Sequence, residues 1–356
     1  MITIGVDAHK RLHVAVAVDG AGRRAGEWRG PNSPGAWDEA IEWARGLGGG
    51  RMWGIEGAWG YGRGLAQRLV EQGERVSEVN PRLTAQGRRR ARRTDKSDRL
   101  DAEAVARVTL REHEALPPVS RVDQTEELDL LSRERDAAVA EATRIRNRIH
   151  FLLSAIDPLY KDKMPPLAGA AGLKALLSYS SPSANTSAQM RAGLVRKLAE
   201  RLAMAVAHAK EIAEQVRRLT SSLRPLLSIC GISSISAGAI AGALGPGRRF
   251  ATDARLASYA GAAPLEASSS GAIRHRLNRN GDRRLNAILH RIALTQSRAY
   301  PPAITYLRRR MAEGKTRAEA TRALKRYIAR AVHRAWGQCD TSKIGLQTRD
   351  AHPTLT

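Results

Sequence analysis

Apolar and polar residues first alternate in short runs along this chain and later recur at helical spacing, the change falling near Thr125. "MITIGVDAHK" and "RLHVAVAVDG" are two apolar, β-branched runs parted by a polar turn, which predicts adjacent strands. "GAGRRAGEW" predicts a turn and a third strand. A helix from about Ser33 to Ala44, a strand at "RMWGIE", a helix from about Trp59 to Gln72, a strand at "RVSEV" and helices on both sides of an arginine run follow. Strands that alternate with helices after an opening meander predict an α/β layer.

Beyond Thr125 the period becomes that of heptads. Leu128, Leu131, Ala138, Ala142, Ile145, Ile149 and Leu152 advance by threes, fours and sevens, with Arg135 as a polar interruption of the seam. A second seam runs through Leu198, Leu202, Ala205, Ala209, Ile212, Val216 and Leu219. The segment between them is rich in Pro, Gly and Ser, so the two long helices are expected to pair as an antiparallel hairpin or with another protomer.

From Leu223 the stretch "LLSICGISSISAGAIAGALG" has an apolar lead, Gly231 at a tight turn and a small-residue helix. It reads as a helix-hairpin-helix whose backbone amides could hold a phosphate, or as a small-residue packing helix. Thr316 and Glu319 form a capping box that opens a basic helix through Trp336, and a polar end follows from Gln338. The expected division is an α/β domain at 1–120, a coiled-coil helical region at 121–222, a small mostly helical domain at 223–338 and a polar tail at 339–356.

Composition narrows the partners. Lys and Arg number 59 against 35 Asp and Glu, a net charge of +24 over 356 residues, which points to a polyanion such as DNA or RNA. Aromatic residues are 4%, which argues against a single-strand reader built from stacking platforms along a groove and favours backbone and shape contacts. Cys230 and Cys339 are too few for a disulfide framework and lack metal-ligand spacing, and no apolar run reaches membrane length, so a cytoplasmic protein is expected.

Against that basic background stands "RRTDKSDRLDAEAVA", where two carboxylates, Asp98 and Asp101, follow the densest cluster of arginines. Three apart, they share one face of a helix. Asp7 and Glu56 each stand at a strand end, so four carboxylates could converge, and their mutual repulsion would favour divalent cations such as Mg²⁺. Separately, each acid has an ordinary reading as a turn residue, a strand-end charge, a helix cap or an arginine partner.

"GVDAHK", "GIEG" and "KSDRLDA", followed by "RLASYAGAAPLEASSSGAIRHRLNRNGDRRLNAILH", resemble the DEDD transposases of bacterial insertion sequences, which are bridge-RNA-guided serine recombinases. The likeness covers approximately residues 2–115 and 223–336. It implies a RuvC-like, RNase H-type domain with the catalytic, Mg²⁺-binding acids Asp7, Glu56, Asp98 and Asp101, and leaves Asp95 outside the motif. A coiled-coil insertion and a small mostly helical transposase domain are implied to follow. The resemblance further implies Ser269 as nucleophile, with Ser268 and Ser270 open because "ASSSG" departs from the family's Ser-Gly. "GISS" departs too, with Ser233 in place of a second glycine.

The implied reaction is DNA strand exchange through a phosphoserine link, in a nucleoid-associated homo-oligomer, dimer or tetramer, with a structured guide RNA. Arg88, Arg89, Arg90, Arg92, Arg93, Arg274, Arg276, Arg279, Arg283 and Arg284 are the expected phosphate contacts. Two other functions are compatible with the residues: a hydrolytic junction resolvase or nuclease using the same acids, and a non-catalytic nucleic-acid scaffold.

Overall fold

A computed structural model describes residues 1–84, 97–183, 185–246, 249–263, 265–266, 275–276, 281–341 and 344. These separate into two compact units, one of residues 1–125, 225–232 and 243–342, the other of residues 126–224, 233–242 and 343–356.

The first unit is built on a five-stranded sheet of order β3-β2-β1-β4-β5, with β1 Ile2–Ala8, β2 Leu12–Val18, β3 Arg24–Pro31, β4 Arg51–Glu56 and β5 Arg75–Val79. β1 lies antiparallel to β2 and parallel to β4, which is parallel to β5. This mixed α/β sheet is consistent with the expected RuvC-like layer. The helices α1 (Pro34–Gly46) and α2 (Arg63–Glu71) pack on one face, where Ile41, Ala44, Leu65 and Leu69 close over Ile4, Val6, Trp53 and Ile55. The helix starting near Trp59 in the sequence reading begins instead at Arg63, because residues 57–62 form tight turns around Gly57, whose φ is +73°.

The other face carries α3, Asp98–Glu112. A Cβ on Gly5 would lie 2.1 Å from the Ala106 amide nitrogen, and one on Gly54 would lie 1.8 Å from Thr109 Oγ1. Bare glycines therefore let this helix settle against the middle of the sheet. Side chains alternate along a strand, so Asp7 and Glu56, each two residues beyond its glycine, point to the α3 side.

Also in the first unit are α10 (Asp253–Tyr259), α11 (Arg283–Ala299), α12 (Pro301–Ala312) and α13 (Arg317–Trp336). The predicted capping box opens α13: Thr316 accepts from the Glu319 amide, and Glu319 accepts from the Thr316 amide at 2.9 Å. Two short strands, Leu265–Glu266 (β6) and His275–Arg276 (β7), pair antiparallel.

The second unit is dominated by α4 (Gln124–Ser154) and α7 (Thr186–Leu219), with α5 (Tyr160–Lys163) and α6 (Ala170–Leu177) between them. Ile145, Ile149 and Leu153 share a core with Val195, Leu198 and Leu202. Glu134 meets His208 at 3.0 Å, and Glu141, seven residues on, meets Arg201, seven residues back, at 3.5 Å. The two helices thus form an antiparallel hairpin within one chain. The buried seam of α4 drifts from the predicted one, passing through Ser132 and Leu153 where Leu131 and Leu152 are only half-buried.

Arg224–Leu227 (α8) and Ser234–Leu244 (α9) flank the turn at Gly231, whose φ of +88° requires glycine. In the second unit a Cβ on Gly238 would lie 2.6 Å from Val216 Cγ1, and one on Gly242 2.6 Å from Asp129 Cα. α9 is therefore a packing helix. The Ser233 amide, a candidate phosphate donor of the hairpin reading, donates instead to Ser236 Oγ at 2.7 Å. Among the described residues no helix is long and apolar enough to cross a membrane.

Candidate active site

The site forms where β1 and β4 run out beneath the start of α3. Asp7 and Glu56 are register partners on adjacent parallel strands. α3 begins at Ser97, an extended N-cap whose hydroxyl accepts from the Leu100 amide at 3.3 Å, which places Asp98 and Asp101 in the first turn. Ser97 caps this helix, so the capping role considered for Asp98 falls away. Carboxylates in a first turn also complement the helix dipole.

Asp7 is 8% exposed, and burial pushes its carboxyl above the ordinary range. His9 opposes that shift, while Asp101 and Asp98 push in the same direction as burial. Three carboxylates thus act electrostatically on one spot. Glu56 Oε2 accepts from the buried Thr84 hydroxyl at 2.8 Å, which holds that carboxylate in place. His9 Nε2 lies 3.0 Å from Asp7 Oδ2 and 3.6 Å from Asp98 Oδ1.

One ligand atom each from Asp7, His9 and Asp98 lies within 4.8 Å of the others. A cation would relieve both the desolvation and the repulsion at Asp7, and carboxylate oxygens suit a hard divalent ion. The donor set therefore fits a divalent metal, with His9 as an added nitrogen donor or as the group that orients Asp7.

Sequence reasoning assigned His9 and Thr84 no role. The signal for His9 was present in "DAH", because residues two apart in an extended segment share a side. Thr84 carried no signal, since its contact with Glu56 spans 28 positions.

The other expected site residues are distributed differently. Arg283 and Arg284 occupy the first turn of α11, capped by Asp282, whose carboxylate accepts from the Leu285 amide at 2.7 Å. Two cations at the positive end of a helix dipole make an anion-attracting pole. Arg276 lies in β7, where only its backbone is described. Arg88, Arg89, Arg90, Arg92, Arg93, Asp95, Ser268, Ser269, Ser270, Arg274 and Arg279 lie outside the described residues. The serine run falls in the segment joining β6 and β7.

Comparison with known proteins places this geometry. Residues 4–158 match a transposase family of DEDD type named for IS110, and residues 223–308 match the transposase IS116/IS110/IS902 family. An uncharacterized 43.6 kDa protein of insertion element IS110 from Streptomyces coelicolor is 29% identical over 275 residues, 65% of this chain and 68% of that protein. A transposase for insertion sequence element IS1328 from Yersinia enterocolitica is 25% identical over 256 residues, 70% of this chain and 71% of its own length. A probable family 20 transposase from Pseudomonas aeruginosa is 27% identical over 230 residues, 63% and 65% of the two chains. With both matched segments and these relatives in agreement, the chain belongs to the DEDD transposases of insertion sequences, in the IS110 family.

Proposed function

We propose that this transposase exchanges DNA strands through a phosphoserine intermediate at Ser269, with Asp7, Glu56, Asp98 and Asp101 holding Mg²⁺. The metal-binding part of the reading is supported by one observation. Asp7, buried at a strand end beside its register partner Glu56, shares one spot with Asp98 and His9, and burial with two further carboxylates pushes its carboxyl up. The serine step rests on the family resemblance. A perturbed carboxyl in a cluster of like charges is the pattern of a functional site. When bound, the metal would supply electrostatic stabilisation to the oxygens of phosphoryl transfer.

Within the chain the division of labour follows from placement. Asp7 and Glu56 come from rigid strand ends and Asp98 and Asp101 from a helix turn, so the ligands are held by elements and not by loops. Arg283 and Arg284, together with the arginines at 88–93, would hold the phosphates of the strands being joined. Ser269 Oγ would attack phosphorus, forming one P–O ester bond as another breaks, and the leaving oxygen would take a proton to become a hydroxyl. The strand is rejoined by the reverse step with a different hydroxyl, so bond energy is conserved. Target choice by a structured RNA, assembly as a dimer or tetramer, and the boundaries at 120, 222 and 338 rest on the family resemblance.

The test is a DNA substrate whose rejoining is blocked. A covalent protein–DNA species should accumulate and map to Ser269, and Ser269→Ala should remove both adduct and recombinant. Mapping to Ser268 or Ser270 would keep the mechanism and change the residue. Full-rate cleavage by Ser269→Ala, with no adduct in the parent protein, would establish the hydrolytic nuclease instead.

A further inference from the structure

The basic helix α13 lies outside every residue assigned above, and its exposed face is organised. Arg322, Arg326, Arg330 and Arg334 recur every fourth position, and all four are exposed. Each step of four residues rises about 6 Å, so the guanidinium groups form a slowly winding stripe about 18 Å long. Among the described residues no carboxylate lies within ion-pair distance of Arg322, Arg326 or Arg334, whereas Arg330 pairs with Asp253 at 2.7 Å. Like charges at this spacing destabilise an isolated helix. A row of four with one carboxylate paired to it, Asp253 on Arg330, keeps a surplus of positive charge that fits an anionic partner lying along it.

Two features on the same part of the unit narrow that partner. Tyr327 is 51% exposed and meets Tyr306 edge-on with ring centroids 5.0 Å apart. The guanidinium carbons of Arg330 and Arg309 lie 5.7 and 5.5 Å from the Tyr327 and Tyr306 ring centroids. Arginine beside an exposed tyrosine ring offers a phosphate contact and a stacking face together.

At its C-terminal end the stripe meets a cleft of about 670 Å³, with Phe250, Leu256 and Trp336 among its apolar lining and Asp253, Arg330 and Arg334 among its polar lining. Pockets of roughly 300–1,000 Å³ suit a small molecule or a single nucleotide, and a duplex cannot enter one. Arg330 holds the Asp253 carboxyl below its ordinary range, so that carboxylate remains an acceptor for an exocyclic amino group.

We propose that the α12–α13 surface binds single-stranded nucleic acid: the arginine stripe takes the backbone phosphates, and one unstacked base enters the cleft against Trp336. The low aromatic content of the chain is compatible with this, because one nucleotide needs one pocket and no extended platform. The inference rests on the chain acting on nucleic acid and is independent of the serine chemistry. Loss or absence of a Ser269 adduct would therefore leave it untouched.

Binding is measured on the full chain in EDTA, by fluorescence anisotropy, with short labelled RNA and DNA single strands of one sequence and with the matching DNA duplex. Arg326→Glu with Arg334→Glu should weaken single-strand binding at least tenfold and lower the slope of log K against log salt by about 1.4, the value for two lost single-strand contacts. Ala251→Trp, at an exposed position lining the cleft, should weaken single strands only, because it fills the cleft without removing charge. Photocrosslinks from a thiouracil-bearing strand should map to residues 250–256 or 330–338. Tighter binding of the RNA strand would identify an unpaired RNA segment as the occupant, and tighter binding of the DNA strand an opened DNA end. The site is overturned if the double charge reversal leaves single-strand affinity unchanged, or if Ala251→Trp binds as the parent does and the crosslinks fall elsewhere.

Discussion

Gly5 lies directly beneath Ala106, so close that a side chain at Gly5 would sit 2.1 Å from the Ala106 amide nitrogen. The neighbour is helix backbone, which cannot turn aside as a flexible side chain would. Gly5→Ala should therefore push α3 off the sheet and destabilise the first unit by about 3 kcal/mol or more, at or above the usual range for overpacking. Thermal unfolding checks this directly. A variant that unfolds within a degree of the parent would show that α3 is not seated as described.

The same seating brings Asp98 and Asp101 to Asp7, and it yields a prediction about chemistry. Asp7→Ala, Glu56→Ala, Asp98→Ala and Asp101→Ala should each abolish strand exchange while nucleic-acid affinity stays nearly unchanged, since affinity comes mainly from Lys and Arg. Asp95→Ala is the control and should retain activity. Equal damage from Asp95→Ala and Asp98→Ala would mean the motif is out of register.

His9→Ala separates the metal's ligands from their supports. His9 Nε2 sits 3.0 Å from Asp7 Oδ2, so its removal loosens the orientation of that carboxylate without deleting it. Groups that orient ligands typically change metal affinity ~10–100-fold. The divalent-ion concentration for half-maximal activity should rise by that order, with activity restored at saturation. Titration calorimetry with Mn²⁺ gives the same comparison without turnover.

The pattern "GVD" at residues 5–7 and "GIE" at residues 54–56 shows how much of this site was legible. Alternation predicted the strands and put both acids at their ends, and three-residue spacing put Asp98 and Asp101 on one helix face. The two glycines were not read as a seat for α3, because nothing local says which helix will lie over a given strand. Long-range partners were hidden for the same reason: Thr84 reaches Glu56, and α9 packs its glycines on helices 20 and more positions away. The heptads were legible because hairpin packing repeats, yet the buried line on α4 passed to Ser132 and Leu153 once the partner was fixed.

Acid should weaken both units through two histidines. His13 is fully buried in the sheet, and burial pushes its imidazole below the usual value of 6.5. His150, beside the Tyr160 hydroxyl, is pushed down by burial first and by Lys161 and Arg146 next. Each stays neutral in the folded chain while its unfolded counterpart takes up a proton, so stability is full above 6.5 and falls as pH drops below it toward the folded values. His13→Gln and His150→Gln should each flatten the melting temperature measured between about pH 7.5 and pH 5. A slope unchanged in both variants would assign the acid sensitivity to carboxylates.

Arg249 is a buried cation of the first unit. Its side chain is 4% exposed, paired with Glu78, and its guanidinium carbon lies 5.7, 5.3 and 5.0 Å from the Trp59, Phe250 and Tyr259 ring centroids. Tyr259 is itself enclosed, and burial drives its hydroxyl far above the ordinary range, so the ring stays neutral beside the cation. Trp59 follows Glu56 by three residues, and Glu78 lies in β5, so Arg249 joins residues near α10 to the carboxylate end of the sheet. Removing one partner of a buried pair is destabilising, by about 3–5 kcal/mol where the other charge is left fully uncompensated. Glu78, a fifth exposed, places this pair below that range. Arg249→Ala should therefore lower the melting temperature clearly and expose residues 249–263 to protease. Arg249→Lys should recover only part, because an ammonium keeps the charge but loses the planar fork and its fit against the rings. A double-mutant cycle with Glu78→Ala isolates the pair, and a coupling of about 0.5–3 kcal/mol is expected for residues in contact. A coupling indistinguishable from zero would mean the three rings hold Arg249 without help from Glu78.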